Sequence, residues 1–272
     1  MNRHFRLFWF PVVGFFLLLS YSAAQGPWKE SDTEYKAGMA ALAKNDYNEG
    51  IAHLERAISL NPLNSQAEVG VANAYAQLYK PGVNEKGNSD LSDLAIGHYR
   101  KVIDNGIMPV SVMAAAKALG NFYVKMGRFD DAKEVYANKS AFNPEDPERH
   151  YRIAVIDWME TSQVRLAQQA QLGMKPGEIL AVKNIEACGK VSDANYSNID
   201  EGINQLNEAL ELDPRFEDAM NYMNLLYRER AEIRCNDPAL RAADLKTAGE
   251  WLQKMAIAKK ANAARAAANT ER

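Results

Sequence analysis

Gly50–Pro62 reads GIAHLERAISLNP, Ala132–Pro144 reads AKEVYANKSAFNP and Gly202–Pro214 reads GINQLNEALELDP. A small residue opens each stretch, a large side chain follows four places later (Leu54, Tyr136, Leu206), and Asn-Pro or Asp-Pro closes it. Proline cannot continue a helix, so each stretch reads as a helix with a fixed stop. A second helical segment lies upstream. Gly38 and Ala41 precede the turn Asn45-Asp46-Tyr47, while Leu119-Gly120 and Tyr123 precede Met126-Gly127-Arg128-Phe129. The unit is therefore helix, tight turn, helix. Two helices approach within about 8–10 Å only where a small side chain meets a bulky one, which explains the recurring pair.

The pattern resembles the tetratricopeptide repeat, W-x2-L-G-x2-Y, then A-x3-F, then P. Leu119, Gly120, Tyr123, Ala132, Tyr136 and Pro144 fill its L, G, Y, A, F and P places, with Ala116 at the W place. The first unit fits with Gly38, Gly50, Leu54, Ala57 and Pro62. A second carries Val71, Ala72 and Tyr75, then Ala95, Tyr99 and Val102 behind the polar loop Pro81–Ser89. In the fourth unit the closing frame at Gly202 is delayed by a helical stretch broken at Gly173–Gly177, so both helices are expected to be lengthened into an arm. The fifth carries Met223, Tyr227, Asn236-Asp237-Pro238, Ala248, Leu252 and Met255, with extra residues between its helices. The resemblance implies an all-α, right-handed α-α superhelix of about five helix pairs over residues 25–259. Residues 260–272, rich in Ala, are expected to form a frayed helix or disordered tail.

The amino terminus reads as an address. Arg3 and Arg6 precede the apolar run Leu7–Leu19, and Ser22-Ala23-Ala24 supplies small residues, the three-part plan of a secretory signal. Such a run reaches about 20 Å as a helix, short of the ~30 Å hydrocarbon layer. Residues 1–24 are expected to be cleaved after Ala24, leaving a periplasmic or secreted protein without stable membrane insertion. Lys plus Arg total 32 against 35 Asp plus Glu. That near balance excludes a strong basic field for nucleic acid.

No G-x-S-x-G, H-E-x-x-H or C-x-x-C occurs, so no enzyme activity, metal or cofactor is expected. Gly82 and Gly87 have phosphate-loop spacing, but Asn88 stands where Lys is required. His53, His98 and His150 are not grouped and read as solvated or packing residues. Asn138-Lys139-Ser140 and Asn195-Tyr196-Ser197 match glycosylation sequons. Cys188 and Cys235 form an even pair in an oxidising compartment. Counted outward from the turn at Asp213–Phe216, however, they fall about six residues, or about 9 Å, out of step, which leaves both a bridge and two buried thiols open.

The family resemblance implies that first helices line a concave groove. Gln66, Asn73, Lys117, Asn121, Tyr151, Asn221 and Arg228 would point into it. Lys117, Gly120 and Asn121 resemble part of the carboxylate clamp of chaperone-binding repeats. Arg152 and Asp218 depart from that clamp at later positions. The expected function is a secreted or periplasmic scaffold binding a peptide or protein of the cell envelope, through the groove or the lengthened hairpin. The alternatives are a small-molecule or glycan receptor using the same groove, or an enzyme built from scattered carboxylates.

Overall fold

In the computed structural model the structure describes residues 13–138, 141–175 and 177–270. Most of the expected signal run, and every side chain before Gly26, lies outside the described side chains. The helices are α1 (Val13–Ala43), α2 (Tyr47–Leu60), α3 (Ser65–Leu78), α4 (Lys86–Asn105), α5 (Pro109–Lys125), α6 (Phe129–Ala137), α7 (Pro147–Gln171), α8 (Leu180–Lys183), α9 (Ile185–Leu212), α10 (Glu217–Glu232) and α11 (Pro238–Thr270). No strand occurs among the described residues. The fold is an all-α helical repeat whose pairs are α1/α2, α3/α4, α5/α6, α7/α9 and α10/α11.

Turn chemistry explains where the helices stop and start. Asn61, Asn143 and Asp213, each preceding proline, use the side-chain Oδ1 to accept from the backbone N–H two residues on, at 3.1, 3.2 and 3.0 Å. This Asx-turn closes the helix before it and aims the chain into the next hairpin. Asn64 and Asp146 then cap α3 and α7 by accepting from Ala67 N and Glu148 N. Inside hairpins, Asn45 (φ 62°) and Gly127 (φ 74°) occupy the same place in the tight turn. That left-handed backbone suits Gly, and Asn better than most other residues.

The small-to-large contacts are direct. A Cβ placed on Gly38 would lie 2.6 Å from Leu54 Cγ, on Gly120 2.5 Å from Tyr136 Cε2, and on Gly202 2.8 Å from Leu226 Cδ1. Leu54, Tyr99, Tyr136 and Leu206, the large residues of four second helices, are all buried. These glycines let helix axes approach until the facing side chain touches backbone.

The chain divides into two compact units, Met1–Ala118 and Leu119–Arg272, with the division inside α5. In the first, α1 packs on α2, α2 on α3 and α3 on α4, with α1 also touching α3. In the second, α7 packs on α6, α9 and α10, while α10 also packs on α9 and α11. Within each unit, helices meet their neighbours in sequence, so hairpins stack in series.

The insertions are helical more than looped. The loop expected at Pro81–Ser89 ends earlier, because α4 begins at Lys86; α11 likewise begins at Pro238, directly after the Asn236-Asp237 turn. Extending a helix satisfies the inserted backbone internally, which a loop would leave to water or side chains. Past residue 260, α11 runs on to Thr270, and Asn262 Nδ2 donates to Arg215 O and Glu217 Oε1.

The lengthened fourth hairpin is present as α7, α8 and α9, but it does not project as an arm. Leu180, Cys188 and Val191 are buried with Leu226 and Ile233 in one apolar cluster. Arg165 Nε and Nη2 donate to Glu229 Oε2 and Oε1 at 2.7 and 2.6 Å, a two-point pair between α7 and α10. Cys188 and Cys235 are bonded, with their Cα atoms 5.7 Å apart. The helical count that put them out of step stops at Glu232, where α10 ends and the chain turns, so Cys235 is not placed by helix rise.

Candidate interaction surface

In the first unit Gln66 and Asn73 are both exposed on α3, while Lys117 on α5 is half-buried and already engaged within the fold. Tyr99 OH of α4 donates to Asn73 Oδ1 at 2.5 Å. The second unit repeats the arrangement: Tyr136 OH of α6 donates to Asn121 Oδ1 at 3.2 Å. In each hairpin a buried phenol on the second helix orients an exposed amide on the first. Burial raises the pKa of both phenols, that of Tyr136 to about 12, so each remains a donor at neutral pH. The amide Nδ2 of Asn73 and of Asn121 has no partner among the described residues and can serve an incoming carbonyl.

Tyr151 on α7 and Asn221 and Arg228 on α10 all lie in the second unit. Tyr151 lies 5.0 Å from Phe216 and 5.5 Å from Tyr222, centroid to centroid, and Trp158 meets Tyr222 edge-on at 5.4 Å. These half-buried rings form an aromatic floor across two adjacent first helices. Burial pushes the Tyr151 hydroxyl up to about 12. Arg152 caps one end, 5.6 Å over the Tyr151 ring and bonded to Glu148 Oε1. Asn221, next to Tyr222 on α10, is half-buried, and Arg228, about two turns further along the same helix, is exposed.

Sequence reading missed Phe216, Tyr222 and Trp158 as members. Tyr151 and Trp158 are seven apart on one helix face, a visible signal, but Tyr222 joins them only through the α7/α10 register. The predicted residues are divided between the units: Gln66, Asn73 and Lys117 belong to the first, and Asn121, Tyr151, Asn221 and Arg228 to the second.

Other polar groups serve the fold. His98 Nδ1 pairs with buried Glu68 at 2.6 Å and its ring stacks on Tyr75. Lys101 also bonds Glu68. Burial opposes ionisation of Glu68, yet the His98 and Lys101 hydrogen bonds outweigh it and hold its carboxyl below the ordinary range. His53 pairs with Glu34, and His150 with Gln205 and Arg149. Asn88 braces its loop, accepting from Lys80 N and donating to Lys80 O and Val83 O. Asn195 is 2% exposed and donates to Thr161 O, which closes that sequon to modification in the folded state. The other sequon lies partly outside the described residues. Among the described residues no three His, Cys, Asp or Glu side chains are arranged to hold a metal ion, and no helix is long and apolar enough to cross a membrane.

One buried carboxylate stands apart. Asp157 is fully buried on α7 and accepts from Lys133 Nζ at 3.1 Å, as does Glu160. Its Oδ2 has no partner among the described residues. Burial drives its pKa up to about 6 against the pull of Lys133.

No curated protein matches the sequence significantly. Among solved structures, the crystal structure of MamA protein aligns with 86% of this chain and 94% of its own, at 13% identity and a TM-score of 0.51. MamA 41-end from Desulfovibrio magneticus RS-1 aligns at 15% identity over 85% and 96% (TM-score 0.49). YrrB, titled a TPR protein with an unusual peptide-binding site, aligns at 14% over 92% and 97% (TM-score 0.45). The family model for the tetratricopeptide repeat matches residues 35–62, the last part of α1, the Asn45 turn and α2 through Pro62. By sequence, then, the first hairpin matches the tetratricopeptide repeat, and the chain shares its helical-repeat fold with the MamA crystal structure.

Proposed function

We propose that this protein is a non-catalytic interaction scaffold of the cell envelope, secreted or periplasmic after loss of residues 1–24, that binds a peptide or protein on its first helices. The observation carrying this reading is the α7/α10 face, where Tyr151, Trp158 and Tyr222 form an apolar floor, with half-buried Asn221 next to Tyr222 and exposed Arg228 about two turns further along α10. An extended or helical segment gains area from the rings and register from the polar rim. The Cys188–Cys235 bond supports an oxidising compartment, where such bridges persist.

The test is photo-crosslinking from position 221 in envelope extract, with Arg228 intact beside Arg228→Glu. A discrete protein adduct lost in the variant is expected. An adduct pattern identical in both, with unchanged circular dichroism, refutes the face assignment. Mass spectrometry of protein recovered from the envelope should place the mature terminus at Gln25; an intact Met1 terminus refutes the processing.

A further inference from the structure

A second surface in the second unit shares no lining residue with the α7/α10 face. The end of α9, the start of α10 and the distal half of α11 enclose an open cleft of about 510 Å³. Leu210, Met220, Trp251 and Ile257 make its apolar lining, and Ile257 is 71% exposed. An isoleucine that open, beside a half-buried tryptophan, is apolar area the chain does not itself cover.

The charged residues in the cleft have one sign. Arg215 enters from the α9–α10 turn and Lys254 from α11, and no acidic side chain lines it. Lys254 Nζ sits 3.8 Å over the Trp251 ring. The Arg215 guanidinium makes no ion pair among the described residues. Glu217, next in the turn, is turned to Asn262 instead. From Trp251 to Ala261 the α11 bank runs about 15 Å, close to three helical turns.

From this geometry we infer that the cleft docks an amphipathic helix of about three turns whose apolar stripe is flanked by Asp or Glu. An open trough between helices suits a helix laid along it, with i, i+3/i+4, i+7 side chains on the floor. The cations on its two sides select acidic flanks and repel basic ones. A small amphiphile would leave one side wet, since ligand pockets of that kind bury most of their ligand.

The probe is a fluorescently labelled helical peptide of about three turns with Leu at those positions and Glu flanks, compared by anisotropy with its Lys-flanked counterpart on the full mature chain. The Glu peptide should bind, with the Lys peptide at least about tenfold weaker. Arg215→Glu/Lys254→Glu should reverse that order. Ile257→Asp, at an exposed position, should leave the far-UV circular dichroism unchanged and abolish binding of both. Equal affinity for the two peptides, no reversal in the double variant, or binding indifferent to Ile257→Asp overturns the inference. So does stoichiometric binding of oleate with none of the Glu peptide.

Discussion

Substituting alanine for Gly120 tests the small-to-large lock that holds the repeat together. An added Cβ would lie 2.5 Å from Tyr136 Cε2 and 2.9 Å from Cζ, where ordinary contact begins near 3.4 Å. The ring must move by about 1 Å to relieve this. It is 2% exposed, packed 5.4 Å from Phe142, and tethered through its hydroxyl to Asn121, so it has little room. Overpacking of this kind costs about 1–3 kcal/mol. Alanine in place of glycine in a helix returns about 1 kcal/mol, so the net expectation is a loss of about 0–2 kcal/mol, against the gain expected where the glycine has open space. Gly97 on α4 is the control, because nothing lies within 4 Å of its would-be Cβ. There the helix-propensity gain stands alone, and Gly97→Ala should stabilise by about 1 kcal/mol. The assay is urea unfolding of both variants, with Gly120→Ala/Tyr136→Leu to complete a double-mutant cycle. Clearing the ring should make the double variant less unstable than the sum of its singles by at least about 1 kcal/mol. If Gly120→Ala stabilises as Gly97→Ala does, or the cycle is additive, close approach at Gly120 is not what the repeat requires.

Three further outcomes follow from particular groups. Cys188→Ser/Cys235→Ser frees a loop spanning 47 residues, which in the chain-entropy account should cost about 4 kcal/mol in denaturant unfolding, whereas an unchanged midpoint would show the bridge is incidental. Asp157 has its pKa raised from 3.8 to about 6, so its favourable contribution is full below pH 4 and is lost as pH rises through 6. Chemical unfolding from pH 4 to 7 should therefore show a decline of up to about 3 kcal/mol from this residue, which Asp157→Asn flattens; a parallel decline in the variant would refute the assignment. Asn88→Ala removes three hydrogen bonds to Lys80 and Val83 and should destabilise by about 1–3 kcal/mol, with faster amide exchange over residues 80–85 than in wild type.

The hairpins were legible because their rules are local. Asx-Pro pairs close helices through side-chain bonds two residues long, and the Gly38/Leu54 and Gly120/Tyr136 pairs write the packing contact into a recurring spacing. Only the tertiary structure decided the rest. The insertions became helical extensions of α4 and α11, because a helix satisfies added backbone without outside help. Whether the fourth hairpin stands free or is tied down depended on Arg165 finding Glu229 sixty-four residues away and Cys188 finding Cys235 where α10 has ended. Phe216 and Tyr222 joined Tyr151 and Trp158 through the register between two helices, which no spacing along one helix can state. A sequence records which side chains share a face of one helix. Which faces meet, and which are left uncovered as at Ile257, is settled by packing summed over all the helices at once.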